Sequence, residues 1–244
     1  MTERRAAAVR NSILAALLAT EYKRLLPKLE HVTLRRGEIV YRADQEIEAV
    51  YFPEGAVVAM VDTAEGGRTV EVGIVGREGI VGINIFLGGA VTPDKAIVQL
   101  PGGAMRMKSK DLRKEVRFGS PLQRLLLDYT RTFLAVISQS VACSQHHNVE
   151  QRLARWFLTM SDYAGSGEFL MVQESIGAML GVRRVGITEA ASRLQAAALI
   201  GYRRGRVRVI DKAGLEKKSC ECYRFIRKQY AQLHAELPRL LSRK

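Results

Sequence analysis

The sequence predicts an α+β protein in three parts: a β-rich N-terminal part, one long amphipathic helix, and a C-terminal pair of short helices closed by a β-hairpin. Three observations carry that prediction. Short β-branched runs broken by glycine fill the stretch from Val32 to about Met107; a heptad-spaced apolar seam begins at Ser120-Pro121; and the segment Gln173 to Ser192 holds apolar and glycine positions in the pattern of two helices crossing steeply. With 244 residues the chain can bury such a fold without disulfide or metal staples.

Before the β-rich part, Val9, Ile13, Leu14, Leu17 and Leu18 recur at helical spacing between Ala6 and about Leu26, which reads as one or two short helices ended near Pro27. The strands expected next are Glu38 to Tyr41, Ala49 to Phe52, Ala56 to Val61, Thr69 to Val75, Ile80 to Phe86 and Ala96 to Leu100. Pro53-Glu54-Gly55, Glu65-Gly66-Gly67, Gly88-Gly89 and Pro101-Gly102-Gly103 supply turn signals between them. Short strands at this spacing make an antiparallel sandwich or barrel.

The long helix has a marked start. Ser120 can accept from free amides, and Pro121 suits the first helical position because its missing N–H costs nothing there. Leu122, Leu126, Tyr129, Phe133, Val136, Ser140 and Cys143 then alternate at spacings of 4 and 3. Such a seam zips two chains together or packs on the chain's own β part; self-association through it is the expectation carried forward.

In the segment Gln173 to Ser192, Ile176, Leu180, Val182, Ile187 and Ala190 supply the crossing contact. Gly177 allows close backbones and Gly181 tolerates positive φ in the turn, which together define a helix-turn-helix. Arg183, Arg184, Val185, Thr188, Glu189 and Ser192 fall on the outward face and first turn of its second helix, from where side chains reach base edges in a major groove. Gln173 opens the motif. Arg184 is the expected guanine reader, Glu189 can accept from a cytosine amino group, Thr188 suits a thymine methyl or a phosphate, and Arg183 suits a backbone phosphate. Gly201 to Asp211 then reads as strand, glycine turn and strand with Arg203, Arg204 and Arg206 at the tip, a wing that can grip phosphates. Upstream, a helix from Asn148 to about Asp162 should pack behind the motif with Trp156 in the core.

Charge agrees with this placement. The net charge is +13, and its excess lies late in the chain: 18 Lys/Arg stand against 15 Asp/Glu over residues 1–120, but 20 against 10 over 121–244. No apolar run reaches the roughly 18 to 20 residues that cross a bilayer, and the start of the chain lacks a secretory pattern, so a cytoplasmic protein without a membrane partner is expected. Three cysteines, Cys143, Cys220 and Cys222, make no disulfide framework. Cys143 and His147 share a helical face while His146 lies off it, and no fourth ligand is evident nearby; Cys220-Glu221-Cys222 is too sparse for a cluster. Neither a metal site nor a cofactor is expected.

With these residues in place the chain resembles the Crp/Fnr superfamily of bacterial transcription regulators over nearly its whole length. Val50-Tyr51-Phe52-Pro53-Glu54-Gly55, Val75-Gly76-Arg77-Glu78-Gly79 and the stretch Cys143 to Trp156 resemble a subgroup without a well-defined effector. The resemblance implies a cyclic-nucleotide-binding-like β-roll sensor with N-terminal helices over 1–119, a dimerisation helix over 120–146, a winged helix-turn-helix DNA-binding domain over 147–226 and a helical tail over 227–244. It also implies a homodimer on a two-fold symmetric double-stranded DNA operator, RNA polymerase as a partner, and an effector of unknown identity. Departures accompany the matches. Where cyclic-nucleotide binders carry a ribose-holding acid this chain has Ile80, within Gly79-Ile80-Val81-Gly82, and where they carry the phosphate arginine it has Asp94. An aspartate there repels a phosphate and Lys95 offers no bidentate grip, so cyclic AMP or cyclic GMP in the usual mode is not expected. The N-terminal cysteines of an iron–sulfur sensor are missing too. In the reader, Val185 and Glu189 replace the family's glutamate and second arginine, which implies a different operator sequence.

No nucleophile–base set or phosphate-cradling glycine loop accompanies the glycine pairs, so an enzyme is not expected. The competing reading is a ligand-binding adaptor whose helix-turn-helix meets protein, against which the arginine-rich wing argues.

Overall fold

A computed structural model describes the backbone of residues 9–240 and the side chains of residues 9–236. Ala6 to Ala8 of the expected lead-in helices and residues 241–244 of the expected tail lie outside them.

The described lead-in holds two short helices, α1 (Ser12–Ala16) and α2 (Ala19–Leu25). Asn11 explains how α1 is held. Its side-chain oxygen accepts from the amides of Ile13 (3.1 Å) and Leu14 (3.2 Å), while its Nδ2 donates to the carbonyls of Pro53 (3.0 Å) and Gly79 (2.8 Å). A fully buried polar side chain with all these bonds made is a cap and a staple to the β-rich part at once.

Seven strands follow: β1 (Glu30–Leu34), β2 (Ile39–Tyr41), β3 (Ala49–Pro53), β4 (Val57–Thr63), β5 (Thr69–Val75), β6 (Lys95–Leu100) and β7 (Gly102–Lys108). They form two sheets, ordered β1-β7-β3 and β2-β6-β4-β5. In the first, the antiparallel register sets Val32 opposite Ala104 and Phe52 opposite Met105. Five of the six expected strands are present to within two residues, while β1 and β7 were not separately expected.

Two expectations are corrected here. Ile80 to Phe86 is not a strand: Gly82 turns left-handed at φ 86°, a single 3-10 turn spans Ile83–Ile85, and only Val81 bridges to Tyr51. Ile80, Val81, Ile83 and Ile85 are buried all the same, and a short buried apolar run has no periodicity that separates a strand from a turn. Gly102-Gly103 is not a turn either, because both residues lie in β7. A Cβ on Gly102 would come within 2.4 Å of the Ala56 nitrogen, so glycine serves a close backbone approach there.

After α3 (Ser109–Glu115) the long helix α4 runs Pro121–His146, and the Ser120 hydroxyl accepts from the Gln123 amide at 3.2 Å as its cap. Then come α5 (Val149–Ala164), β8 (Glu168–Leu170), α6 (Gln173–Leu180), α7 (Arg184–Ala196), β9 (Ile200–Arg203), β10 (Arg206–Val209), α8 (Lys212–Lys218) and α9 (Cys222–Leu240). The described residues fall into two compact units. One comprises residues up to Met60, Ile74–Ala135 and those from Gln229 onward; the other comprises Val61–Gly73 and Val136–Lys228. In the second unit, called the reading unit for the helix-turn-helix expected in it from the sequence, a capping box between Asn148 and Gln151 starts α5. Trp156 is buried as expected, its indole donating to Glu71 of the β4–β5 hairpin at 3.3 Å.

The long-helix expectation also needs correction. Leu122, Leu126, Tyr129, Phe133, Val136 and Cys143 are buried within the single chain, and Ser140 is partly so. Tyr129 lies so close over Gly79 that a Cβ there would meet its ring at 2.4 Å, and it stacks on Phe133 at 5.5 Å between ring centres. The seam is therefore packed largely against the chain's own residues. What α4 leaves in solvent is a different apolar line seven residues apart: Leu127 (51% exposed), Leu134 (58%) and Val141 (60%).

Candidate nucleic-acid interface

The two helices expected from the glycine and apolar spacing are α6 and α7. Gly181 ends α6 in the left-handed region at φ 64°. Gly177 sits where a Cβ would come within 2.7 Å of the Val182 carbonyl, so any larger residue would push the helices apart. Ile176, Leu180, Ile187 and Ala190 are buried at the crossing, and α5 packs behind α7.

The outward face of α7 is open. Arg183, Arg184, Val185, Thr188, Glu189 and Ser192 are all exposed, Val185 to 67%. Arg183 occupies the N-cap position without a capping side chain, Arg184 begins the helix, and the first turn holds no acidic residue. Cations at the positive end of a helix dipole are unfavourable unless an anion joins them, so an anion would be stabilised at this end. Among the described residues neither arginine makes a salt bridge. The Thr188 hydroxyl faces Gln173 Oε1 at 2.8 Å and the Arg184 carbonyl at 3.0 Å, which ties the start of α6 to the reading helix. The Ser192 hydroxyl donates to the Thr188 carbonyl at 2.8 Å.

The wing is a hairpin of β9 and β10 turning at Arg204 and Gly205, both left-handed at φ 51° and 76°. β8, not foreseen in the sequence, pairs with β10 and makes the sheet three-stranded; at three residues it is too short to show a period. Val207 is buried while Arg206 and Arg208 point outward. Arg206 is ion-paired with Glu168 of β8. Arg203 and Arg204 are exposed and make no salt bridge among the described residues. Tyr202 anchors the wing through its hydroxyl, which donates to the Met171 carbonyl at 2.8 Å. Burial pushes that hydroxyl up to about 12 against the pull of Arg184. Between wing and reader lies a cleft of about 450 Å³ lined by Gln173, Glu174, Arg184, Tyr202 and Arg204 among others. Reader, wing and cleft make one cationic surface.

In the β-roll unit the two positions that depart from cyclic-nucleotide binders are both engaged. Ile80 is buried, and Asp94 accepts from the Tyr41 hydroxyl at 2.7 Å and from the Thr92 hydroxyl. Among the metal candidates His146 is exposed, whereas Cys143 and His147 meet Cys220 and Cys222, a convergence that their separation in sequence hid.

Fold and site together define a winged helix-turn-helix reader joined to a β-roll. Residues 151–218 match the family described as the Crp-like helix-turn-helix domain. Among solved structures the chain is similar to FixK2 from Bradyrhizobium japonicum (TM-score 0.67, 18% identity, 79% of this chain and 98% of that one). It is similar also to TTHB099, a CRP-family transcriptional regulator from Thermus thermophilus (0.66, 18%, 77% and 96%). A regulatory protein from Silicibacter pomeroyi DSS-3 is a third (0.60, 22%, 88% and 98%). Among curated proteins none matches the sequence. Residues 151–218 thus carry a Crp-like helix-turn-helix domain, and the chain shares its fold with solved transcriptional regulators of the Crp family. No helix among the described residues is long and apolar enough to cross a membrane.

Proposed function

We propose that the protein is a sequence-specific DNA-binding regulator that works as a homodimer on a two-fold symmetric operator. The observation that carries this reading is the uncapped, acid-free start of α7, where Arg183 and Arg184 stand without salt bridges among the described residues, beside a wing tip carrying Arg203 and Arg204. In the bound state Arg184 pairs with guanine acceptors, Val185, Thr188, Glu189 and Ser192 face the groove floor, and Arg183, Arg203 and Arg204 hold phosphates.

The dimer is supported by the line Leu127, Leu134 and Val141 on α4, whose strict spacing of seven is that of a helix pairing with its own copy. Pairing places two readers on half-sites about 34 Å apart. RNA polymerase is the partner that a regulator bound at a promoter would meet. Any effector held by the β-roll is something other than a cyclic phosphate in the usual mode, since Asp94 stands where the phosphate arginine would be.

Selection of duplexes from a random pool by the full chain, followed by titration of the best site and a scrambled one at several salt concentrations, tests this. A two-fold symmetric motif bound about a thousandfold or more tighter than scrambled DNA, with affinity falling steeply in salt, is expected. Equal affinity for both duplexes, or no retention at low salt, would refute it.

A further inference from the structure

Cys143, His147, Cys220 and Cys222 come together inside the reading unit. The three sulfurs and a ring nitrogen of His147 all lie within 4.8 Å of one another. Cys143 Sγ is 3.5 Å from Cys220 Sγ, and Cys222 Sγ is 3.6 Å from His147 Nδ1. All three cysteines are buried and His147 is half-buried. Tetrahedral zinc with bonds of about 2.3 Å to sulfur and 2.0 Å to nitrogen requires ligand atoms roughly 3.5 to 3.8 Å apart. Sulfurs this close surround a single ion; an iron–sulfur cluster, which places several metals and sulfides between its cysteines, needs them spread wider.

We infer that Cys143, His147, Cys220 and Cys222 form a structural Zn²⁺ site that clasps the two ends of the winged-helix module. The surrounding groups fit a metal centre. His147 Nε2 lies 3.2 Å from Glu221 Oε1, so a proton on that nitrogen leaves Nδ1 free to ligate, the relay that commonly orients a zinc histidine. Gln139 Nε2 donates to Cys222 Sγ at 3.0 Å, as outer amides do to bound thiolates. Three thiolates and a neutral histidine on a divalent ion carry one net negative charge. Arg155, 8% exposed and with its Nε lacking a hydrogen-bond partner among the described residues, acts electrostatically on Cys143 and Cys220 and offsets that charge.

The position of the ligands in the chain suggests what the ion does. Cys143 lies in the last turn of α4 with His147 just after it, and Cys220 and Cys222 stand at the start of α9, so every element of the reader and wing lies in the loop that the ion closes. On binding, each cysteine sulfur gives its proton to solvent and its lone pair to the ion, with no change in oxidation state. None of the four ligands belongs to the DNA-facing set, so this site stands or falls apart from the proposed function.

The test uses the full chain purified under reducing conditions without chelator. Elemental analysis is expected to find one zinc per chain. Protein stripped with chelator and titrated with Co²⁺ is expected to show thiolate-to-cobalt charge-transfer absorption and tetrahedral ligand-field bands that saturate at one equivalent. Stripping should lower the Tm, and zinc should restore it. Cys220→Ser with Cys222→Ser should lose at least nine-tenths of the metal. Should that variant fail to fold, the cobalt titration of the wild type decides. Metal-free protein with three titratable thiols and no cobalt bands overturns the inference, as does iron with sulfide, or a Cys143–Cys220 disulfide persisting in reductant.

Discussion

The long helix α4 and the reading helix α7 both turn one apolar face inward, yet they differ in what they leave outside. α4 exposes Leu127, Leu134 and Val141, and α7 exposes arginines, hydroxyls and a glutamate around a single Val185. Apolar side chains held in water at a spacing of seven have something to gain from protein, whereas cations without an ion partner at the start of a helix have something to gain from an anion. The outward residues, not the inward ones, therefore separate the proposed assembly surface from the proposed DNA surface.

The hardest test of that contrast is to alter neighbouring residues on opposite faces of α4. Phe133→Ala should cost about 3 to 5 kcal/mol in urea unfolding, because its ring is buried on Tyr129, while Leu134→Ala should stay within about 0.5 kcal/mol in the isolated chain. Similar losses at both positions would erase the distinction. Leu134→Glu should weaken self-association by about 3 kcal/mol or more, since symmetry counts the lost burial twice, with the far-ultraviolet spectrum unchanged. Sedimentation that still shows an undiminished dimer would move the interface elsewhere.

On the reading side, Arg184→Ala should cost about 1 to 3 kcal/mol on the selected operator and relax preference at one base pair in each half-site. Uniform weakening across all sequences would reassign it to a phosphate. The smallest effects belong to the wing. Arg204→Ala should weaken every duplex alike and lower the slope of affinity against salt by about one, and Arg206→Ala should do less because Glu168 already holds it. If Arg206 proves the stronger of the two, DNA must break that ion pair on binding.

The reading module was legible because its signals are local. Gly177 and Gly181 lie within a few residues of the contacts they permit, and the wing turn sits between its own strands, so spacing alone exposes them. β8 was invisible, being three residues long. Ile80 to Phe86 misled because buried aliphatic residues serve a turn as well as a strand. The α4 seam misled for another reason: a spacing of 4 and 3 reports that a face is buried but carries no information about whose atoms bury it.

By itself the sequence determined where the long helix and the helices of the helix-turn-helix start, most of the residues that face inward, and that the cationic excess lies late in the chain, since capping, periodicity and turn chemistry act over a few residues. Tertiary structure alone decided that Tyr129 and Phe133 belong to the chain's own core, that Arg206 is taken by Glu168, and that Cys143 and His147 meet Cys220 and Cys222 across more than seventy residues of chain. Those outcomes depend on how distant segments close on one another, and the cost and direction of that closure are not written in any local pattern.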